Sequence, residues 1–182
     1  MADPLMRRYH DREWGVPVRH DRKMFELLVL EGMQAGLSWL IVLRKREAFR
    51  KAFDGFDAER VARYGRAKVR ALLQDAAIIR NRLKIEAAIT NAQACLRVQE
   101  ARGSFHCVLW EYVGGRPIVN RWTQMKQVPA TSKESDVMSR ELKALGFRFV
   151  GSTICYAHMQ SAGMVNDHLV QCDRHAALKR LA

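Results

Sequence analysis

An all-α fold is predicted by three features of this 182-residue chain. Apolar residues recur at helical spacing along nearly its whole length, strict apolar/polar alternation is absent, and capping residues and glycines punctuate the periodic segments. Asp21 is expected to cap a helix whose inner face is Phe25, Leu28, Val29 and Met33. After Gly36 a second helix runs from Leu37 into the basic stretch Arg44–Arg50. Asp57 caps a short helix through Val61, and Arg66 to Asp75 forms another with Val69, Leu72 and Leu73 inside. The longest periodic segment is Ile79 to Leu96, with Ile85, Ala88, Ile89, Ala92 and Cys95 along one face. Thr131 with Glu134 reads as a capping box that opens a helix through Leu145, which Gly146 stops. Phe149 to Gly163 is apolar throughout and suits a buried helix. Arg116–Pro129 is the least regular stretch; it is expected to join two groups of helices and to expose Arg121, Trp122 and Lys126. One domain over residues 1–182 is expected, its two ends (about 1–20 and 164–182) packing together.

Composition narrows the function. A hydrophobic fraction of 48% with 27% charged residues excludes global disorder. No apolar run reaches the roughly 18 residues of a membrane span, and the amino terminus lacks a signal-peptide core, so a soluble cytoplasmic protein with no membrane partner is expected. Cysteines 95, 107, 155 and 172 form no CxxC pair and read as buried hydrophobes or metal ligands. The net charge of +12 is spread along the chain, which points to a folded face for a polyanion, nucleic acid being the commonest; a generally basic proteome is the plainer explanation.

Three clusters carry candidate chemistry. In Leu73–Ile85 two helices meet at a short turn flanked by Arg80, Arg82 and Lys84. Free N–H groups and the dipole at a helix start can seat a phosphate there, although a plain hairpin with a solvated basic face has the same pattern. His168 and Cys172, spaced for one face of a helical turn, can share a metal ion; His10 adds a third donor from the other end of the chain, and a buried cysteine beside a histidine is the alternative. Glu31 follows a long apolar run, an expensive place for a carboxylate unless it is paired or functional. Gly32 and Gly36 allow close backbone approach, and Trp39 offers a flat face; a surface glutamate between two helices is the alternative.

Tyr9–Pro17 (YHDREWGVP), Glu31–Trp39 (EGMQAGLSW), Asp75–Ile85 and Gly146–His168 (GFRFVGSTICYAHMQSAGMVNDH), in this order from about Asp3 to Cys172, resemble the DNA-3-methyladenine glycosylase I family, the constitutive bacterial alkylation-repair enzymes of the helix-hairpin-helix superfamily. The resemblance implies a monofunctional hydrolase of base excision repair without lyase activity; a monomer suffices for that chemistry, and action on the nucleoid is expected. It excises 3-methyladenine from double-stranded DNA and leaves an abasic site. It places Glu31 in the base pocket, as the base-recognition and candidate catalytic residue, with Tyr9, Trp14 and Trp39 as aromatic walls. It puts Gln34, Gly36 and Leu37 in the gap left by the flipped base, and Ala77, Ile78, Arg80, Arg82 and Lys84 at the DNA backbone. His10, His168 and Cys172 match three of four zinc ligands. N3-methylation makes the base a cation, which aromatic faces attract by about 0.5–2 kcal/mol per contact; an anionic Glu31 adds charge selectivity in a low-dielectric pocket.

The chain departs from the pattern in two places. Family members usually begin a few residues earlier, with a cysteine that is the fourth zinc ligand and a tryptophan that lines the pocket; this chain begins Met1-Ala2-Asp3-Pro4. Weakened or absent zinc, a looser joint between the ends and reduced activity are therefore expected; water, an ordered side chain or Cys155 as a substitute ligand has no support in the sequence. In the hairpin, Ala77 stands where glycine is typical and Leu83 replaces a small residue; a positive φ at Ala77 would strain it by about 1 kcal/mol or more. The reading from a different class is a helix-hairpin-helix DNA-binding protein that has lost its chemistry.

Overall fold

The computed structural model describes residues 3–181; residues 1, 2 and 182, part of the predicted unit, lie outside the described residues. Among the described residues ten α-helices follow one another: α1 (Pro4–Arg12), α2 (Asp21–Gln34), α3 (Trp39–Ala52), α4 (Ala58–Ala62), α5 (Arg66–Gln74), α6 (Arg82–Arg102), α7 (Phe105–Glu111), α8 (Lys133–Ala144), α9 (Ser152–Ser161) and α10 (Asp173–Lys179). The predicted all-α class holds. A parallel pair of two-residue strands, β1 (Ile118–Val119) on β2 (Val165–Asn166), is the regular structure that hydropathy did not announce, since two residues cannot alternate visibly. None of the described helices is long and apolar enough to cross a membrane.

Helix α2 is the axis of the fold. Every residue from Met24 to Met33 is buried, and α2 packs against α3, α6, α7 and α9. A helix buried all round needs neighbours on every side, which is why its sequence shows an apolar run rather than a stripe. Phe53 stacks on Phe56 at 5.8 Å, and Phe25 meets Phe56 edge-on at 6.4 Å, so aromatic contacts close the core beneath α2 and α3.

Several boundaries differ from the sequence expectation for identifiable reasons. Asp21 is the first residue of α2, not its cap; its carboxylate instead accepts from the Phe105 and His106 amides at 3.0 and 2.8 Å and so caps α7. The capping box of α8 is Ser132 with Ser135 rather than Thr131 with Glu134. Helix α6 starts at Arg82 because Asn81 accepts from the Lys84 amide at 3.1 Å, and Gly103 ends it with φ +79°. Helix α9 starts at Ser152, beyond Phe149, whose φ of +54° is incompatible with a helix. Asp57 does cap α4, accepting from Glu59 and Arg60. Helices α1, α7 and α10, of nine, seven and seven residues, are too short to show a long periodic face; α1 nonetheless has Asp3 accepting from Leu5 N at 2.8 Å and Pro4 in its first turn.

Segment 116–129 is stitched down rather than loose. Besides the strand pair, the Val170 amide donates to Trp122 O, and the Trp122 indole donates to Asp167 Oδ1 at 2.7 Å. Trp122 is therefore half-buried, contrary to expectation, while Arg121 and Lys126 are exposed. The segment after α1 is tied to the end of α9 by main-chain bonds, Gly15 N to Gln160 O and Val18 N to Ala162 O, both 3.0 Å. Gly163 is required at that crossing: with φ +68°, a Cβ there would fall 2.3 Å from the Val16 carbonyl carbon.

Candidate active site

The last turns of α2, the start of α3, α1 and the turn after β2 surround a cavity of about 440 Å³. That is room for one nucleobase-sized ligand. Tyr9, Trp14, Glu31, Gln34 and Trp39 all line it, so residues far apart in sequence converge as the motifs imply. Tyr9 and Trp39 lie 5.5 Å apart, tilted by 51°, and Trp14 packs edge-on against His168 at 4.6 Å. Burial and the nearby Glu31 and Glu13 push the Tyr9 phenol far up, so it enters the site as a neutral donor.

Glu31 is 3% exposed. Burial pushes its carboxyl up to about 8, with the Ser161 hydroxyl opposing. In the empty cavity at neutral pH the group is mostly protonated. The anionic Glu31 expected from the sequence is therefore costly before a ligand enters: among the described residues no cation or cluster of donors offsets the desolvation of its charge.

Asp167 is a pocket residue that the sequence reading passed over. Its buried carboxylate accepts four bonds, from Asn120 Nδ2 (2.6 Å), Trp122 Nε1 (2.7 Å), Tyr156 OH (2.7 Å) and Gln160 Nε2 (2.8 Å). The signal that found Glu31, an acid inside an apolar run, is missing here: Asp167 stands in a polar triplet with Asn166 and His168.

Beside the cavity, His10 Nε2, His168 Nδ1 and Cys172 Sγ converge, all within 4.8 Å of one another. Their separations are 3.1 Å between the nitrogens and 4.0 and 3.7 Å from sulfur to His10 and His168. A tetrahedral ion with metal–nitrogen bonds near 2.0–2.1 Å and a metal–sulfur bond near 2.3 Å sets such edges at roughly 3.3–3.6 Å, so the donor set fits three corners. The outer nitrogens support this. His168 Nε2 faces the Trp14 carbonyl at 3.1 Å, which can only accept, and His10 Nδ1 faces the Asp11 carboxylate at 2.7 Å. With both outer nitrogens donating, two inner lone pairs face each other, an arrangement that a bound cation resolves. Residues 168–172 form a tight turn, with Cys172 N bonded to Leu169 O, and not the helical turn expected from their spacing. Cys155 lies elsewhere, buried with its thiol on Val150 O.

The hairpin between α5 and α6 is folded by Asp75, which accepts from Ala77 N at 2.9 Å, and by the Asn81 cap. Positive φ among non-glycine residues falls at Asp54, Phe56 and Phe149, so Ala77 is outside the left-handed region and the expected strain is absent. Arg80 and Arg82 are exposed, and Ile78 is buried. Lys84 does not join the exposed cations. It is 8% exposed and its Nζ donates to Met33 O and Ala35 O at 2.9 and 2.6 Å. Gly36, with φ +77°, turns the loop that presents Leu37 at 40% exposure.

A family model described as methyladenine glycosylase matches residues 1–175. DNA-3-methyladenine glycosylase 1 of Escherichia coli K12 is 48% identical over 170 residues, covering 93% of this chain and 91% of that protein. The DNA-3-methyladenine glycosylase of Haemophilus influenzae is 44% identical over 164 residues, covering 90% and 89%. The fold superposes on a crystal structure of 3-methyladenine DNA glycosylase I with a TM-score of 0.93 at 46% identity, over 95% of each chain. It also superposes on the Staphylococcus aureus enzyme, solved for its 3-methyladenine recognition, with TM-score 0.93 at 35% identity, over 95% and 92% of the chains. With sequence, fold and the convergence of the motif residues in agreement, the chain belongs to the methyladenine glycosylase family.

Proposed function

We propose that this protein is a monofunctional DNA-3-methyladenine glycosylase that flips the alkylated nucleotide out of double-stranded DNA and hydrolyses its N-glycosidic bond. The observation that carries the reading is the cavity of about 440 Å³ that places Tyr9, Trp14 and Trp39 around Glu31. A purine carrying a delocalised positive charge gains from the aromatic faces, and normal adenine, being neutral, does not. The C1′–N9 bond breaks with its electron pair leaving on the base, which neutralises the methylated ring; water adds to the electron-poor C1′ and loses a proton. Glu31 reads the base edge. Protonated when the pocket is empty, it can donate as well as accept, and a cationic base lowers the cost of ionising it, so binding releases a proton below about pH 8.

Gln34, Gly36 and Leu37 enter the gap left by the flipped nucleotide. The helix-hairpin-helix element grips the backbone through the main chain at Ala77 and Ile78, with Arg80 and Arg82 adding charge that makes binding salt-dependent. Residues 1–182 act as one monomeric unit on nucleoid DNA. Zinc suits the soft–borderline donor set of His10, His168 and Cys172, and when bound it supplies a structural cross-link between α1 and the turn after β2. The main-chain bonds of Gly15 and Val18 already tie the segment after α1 to the end of α9, so chelation is expected to lower the melting temperature without unfolding the chain.

The test is to incubate the protein with methylated duplex DNA and chromatograph the released bases, with and without added zinc. Free 3-methyladenine is expected, with an abasic but uncleaved strand. DNA binding without base release at any zinc level would leave a binding protein and overturn the enzymatic reading.

A further inference from the structure

Two lysines in this fold direct their charged heads at main-chain carbonyls, and together they join the hairpin to the pocket. Lys84, in the first turn of α6, is buried, and its ammonium holds Met33 O and Ala35 O at 2.9 and 2.6 Å. Those carbonyls end α2, on the stretch that carries Gln34 and leads from Glu31 to Leu37. Helix α2 has no basic residue in its own last turn, so Lys84 supplies from another element the positive charge that a helix C-terminus favours. Lys45, on α3, holds Ala76 O and Ala77 O of the hairpin turn at 2.9 and 3.0 Å. Helix α3 opens with Trp39, a wall of the pocket. The straps therefore run in opposite directions, from hairpin helix to pocket helix and from pocket helix to hairpin turn.

A buried ammonium is costly to desolvate, and burial does push the Lys84 amine below its usual range. Apolar packing would hold two helices together at lower cost. What carbonyl-directed bonds add is a fixed register between two main-chain segments. On DNA that register matters, because the spacing between a backbone phosphate and a flipped base is set by the nucleic acid, and a misplacement of about 1 Å in a reacting pair costs up to about a hundredfold in rate.

We propose that Lys84, with Lys45 as its counterpart, is a positioning residue that fixes the gap-entering loop relative to the backbone-gripping hairpin, and is not a phosphate contact. This rests on the reading of the hairpin as the DNA grip. The test compares wild type with Lys84→Met in three measurements: salt dependence of binding to undamaged duplex, affinity for free 3-methyladenine by tryptophan fluorescence, and single-turnover base release from methylated duplex. The expected result is an unchanged salt slope, free-base affinity within about twofold, and release slowed by about tenfold or more. A slope reduced by about one would make Lys84 a phosphate contact and overturn the proposal. So would an unchanged release rate, or equal losses in free-base affinity and release. Should Lys84→Met fail to fold, Lys45→Met, at a half-buried site, is expected to give the same pattern, and its failure to do so would overturn the proposal equally. Absence of release from the wild type would instead sink the glycosylase reading, while the salt slopes would still decide the role of the lysines.

Discussion

Helix α2 carries a carboxylate near each end, the half-buried Asp21 and the buried Glu31, and the two could hardly be treated more differently. Asp21, in the first turn, accepts from Gln99 Nε2 (2.6 Å), Ser104 Oγ (2.9 Å), Phe105 N (3.0 Å) and His106 N (2.8 Å). Burial alone would raise its pKa, but the bonds from Gln99, His106 and Phe105 outweigh that and hold it well below the usual carboxylate range. Glu31, in the last turns, has burial pushing it up to about 8, and Ser161 alone opposing. The helix dipole widens the contrast, favouring an anion at the first position and opposing one at the last. Of these two acids, the one that fastens α7 to α2 is surrounded by donors, whereas the one that lines the cavity is buried without them.

The largest effect that would break this comparison is at the structural end. Asp21→Ala leaves the first amides of α7 and the Gln99 and Ser104 groups without their acceptor, and a loss of about 3 kcal/mol or more is expected in urea unfolding. Binding of free 3-methyladenine by the folded fraction should be nearly unchanged. A loss below about 1 kcal/mol would mean that water replaces the carboxylate and that its donors are not what distinguishes it.

At the other end the sign reverses. A carboxyl whose folded pKa is raised keeps its proton between about 4.5 and 8 while the unfolded chain releases it, so wild-type stability should fall as pH rises through that window. Glu31→Gln removes the group, and the variant should be more stable than wild type by about 2–3 kcal/mol at pH 7 and flat across the window, while releasing 3-methyladenine more slowly. Thermal melts from pH 5 to 9 decide this. Parallel curves for the two proteins would show that Glu31 is solvated and that the contrast with Asp21 is lost.

His158 sharpens the rule. It is fully buried on α9, neither ring nitrogen has a partner, and burial pushes its pKa down to about 4. It lines no part of the active-site cavity. A base that stays neutral in the fold while the unfolded chain takes a proton loses stability as pH falls from about 6.5 to 4. His158→Phe should therefore stabilise the protein by about 1–2 kcal/mol at neutral pH, more in acid, with base release unaltered. Reduced release would show that donor-free burial marks function at His158, as proposed for Glu31.

Much of this was legible in the chain. Glu31 and the three metal donors stood out because a carboxylate inside an apolar run and a His–Cys pair are rare without a reason. The helices with long periodic faces were readable for the same reason that they pack. What could not be read was tertiary. Asp21 has the composition of a cap for its own helix, and only the approach of α7 assigns it elsewhere. Lys84 looks like its neighbours Arg80 and Arg82, and only the end of α2 turns it inward. Trp122 lies in an irregular stretch, and its fixed place comes from a partner, Asp167, in a distant segment.

The smallest effect is the most specific. Ser161 is the one group that favours the charged form of Glu31, so Ser161→Ala should leave Glu31 still more reluctant to ionise. A hydrogen bond to a carboxylate in such a place is worth on the order of 1 kcal/mol, less than one pH unit. The alkaline fall in stability should therefore move to higher pH by less than a unit, with the melting temperature at pH 5 almost unmoved, since there Glu31 is protonated in both proteins. A change of the same size at pH 5 and pH 9 would mean that Ser161 serves packing through its bond to His158 O, at 3.1 Å, and that Glu31 has no hydrogen-bonding support of its own. A shift confined to the alkaline limb would show that one hydroxyl tunes the pH at which the pocket charges.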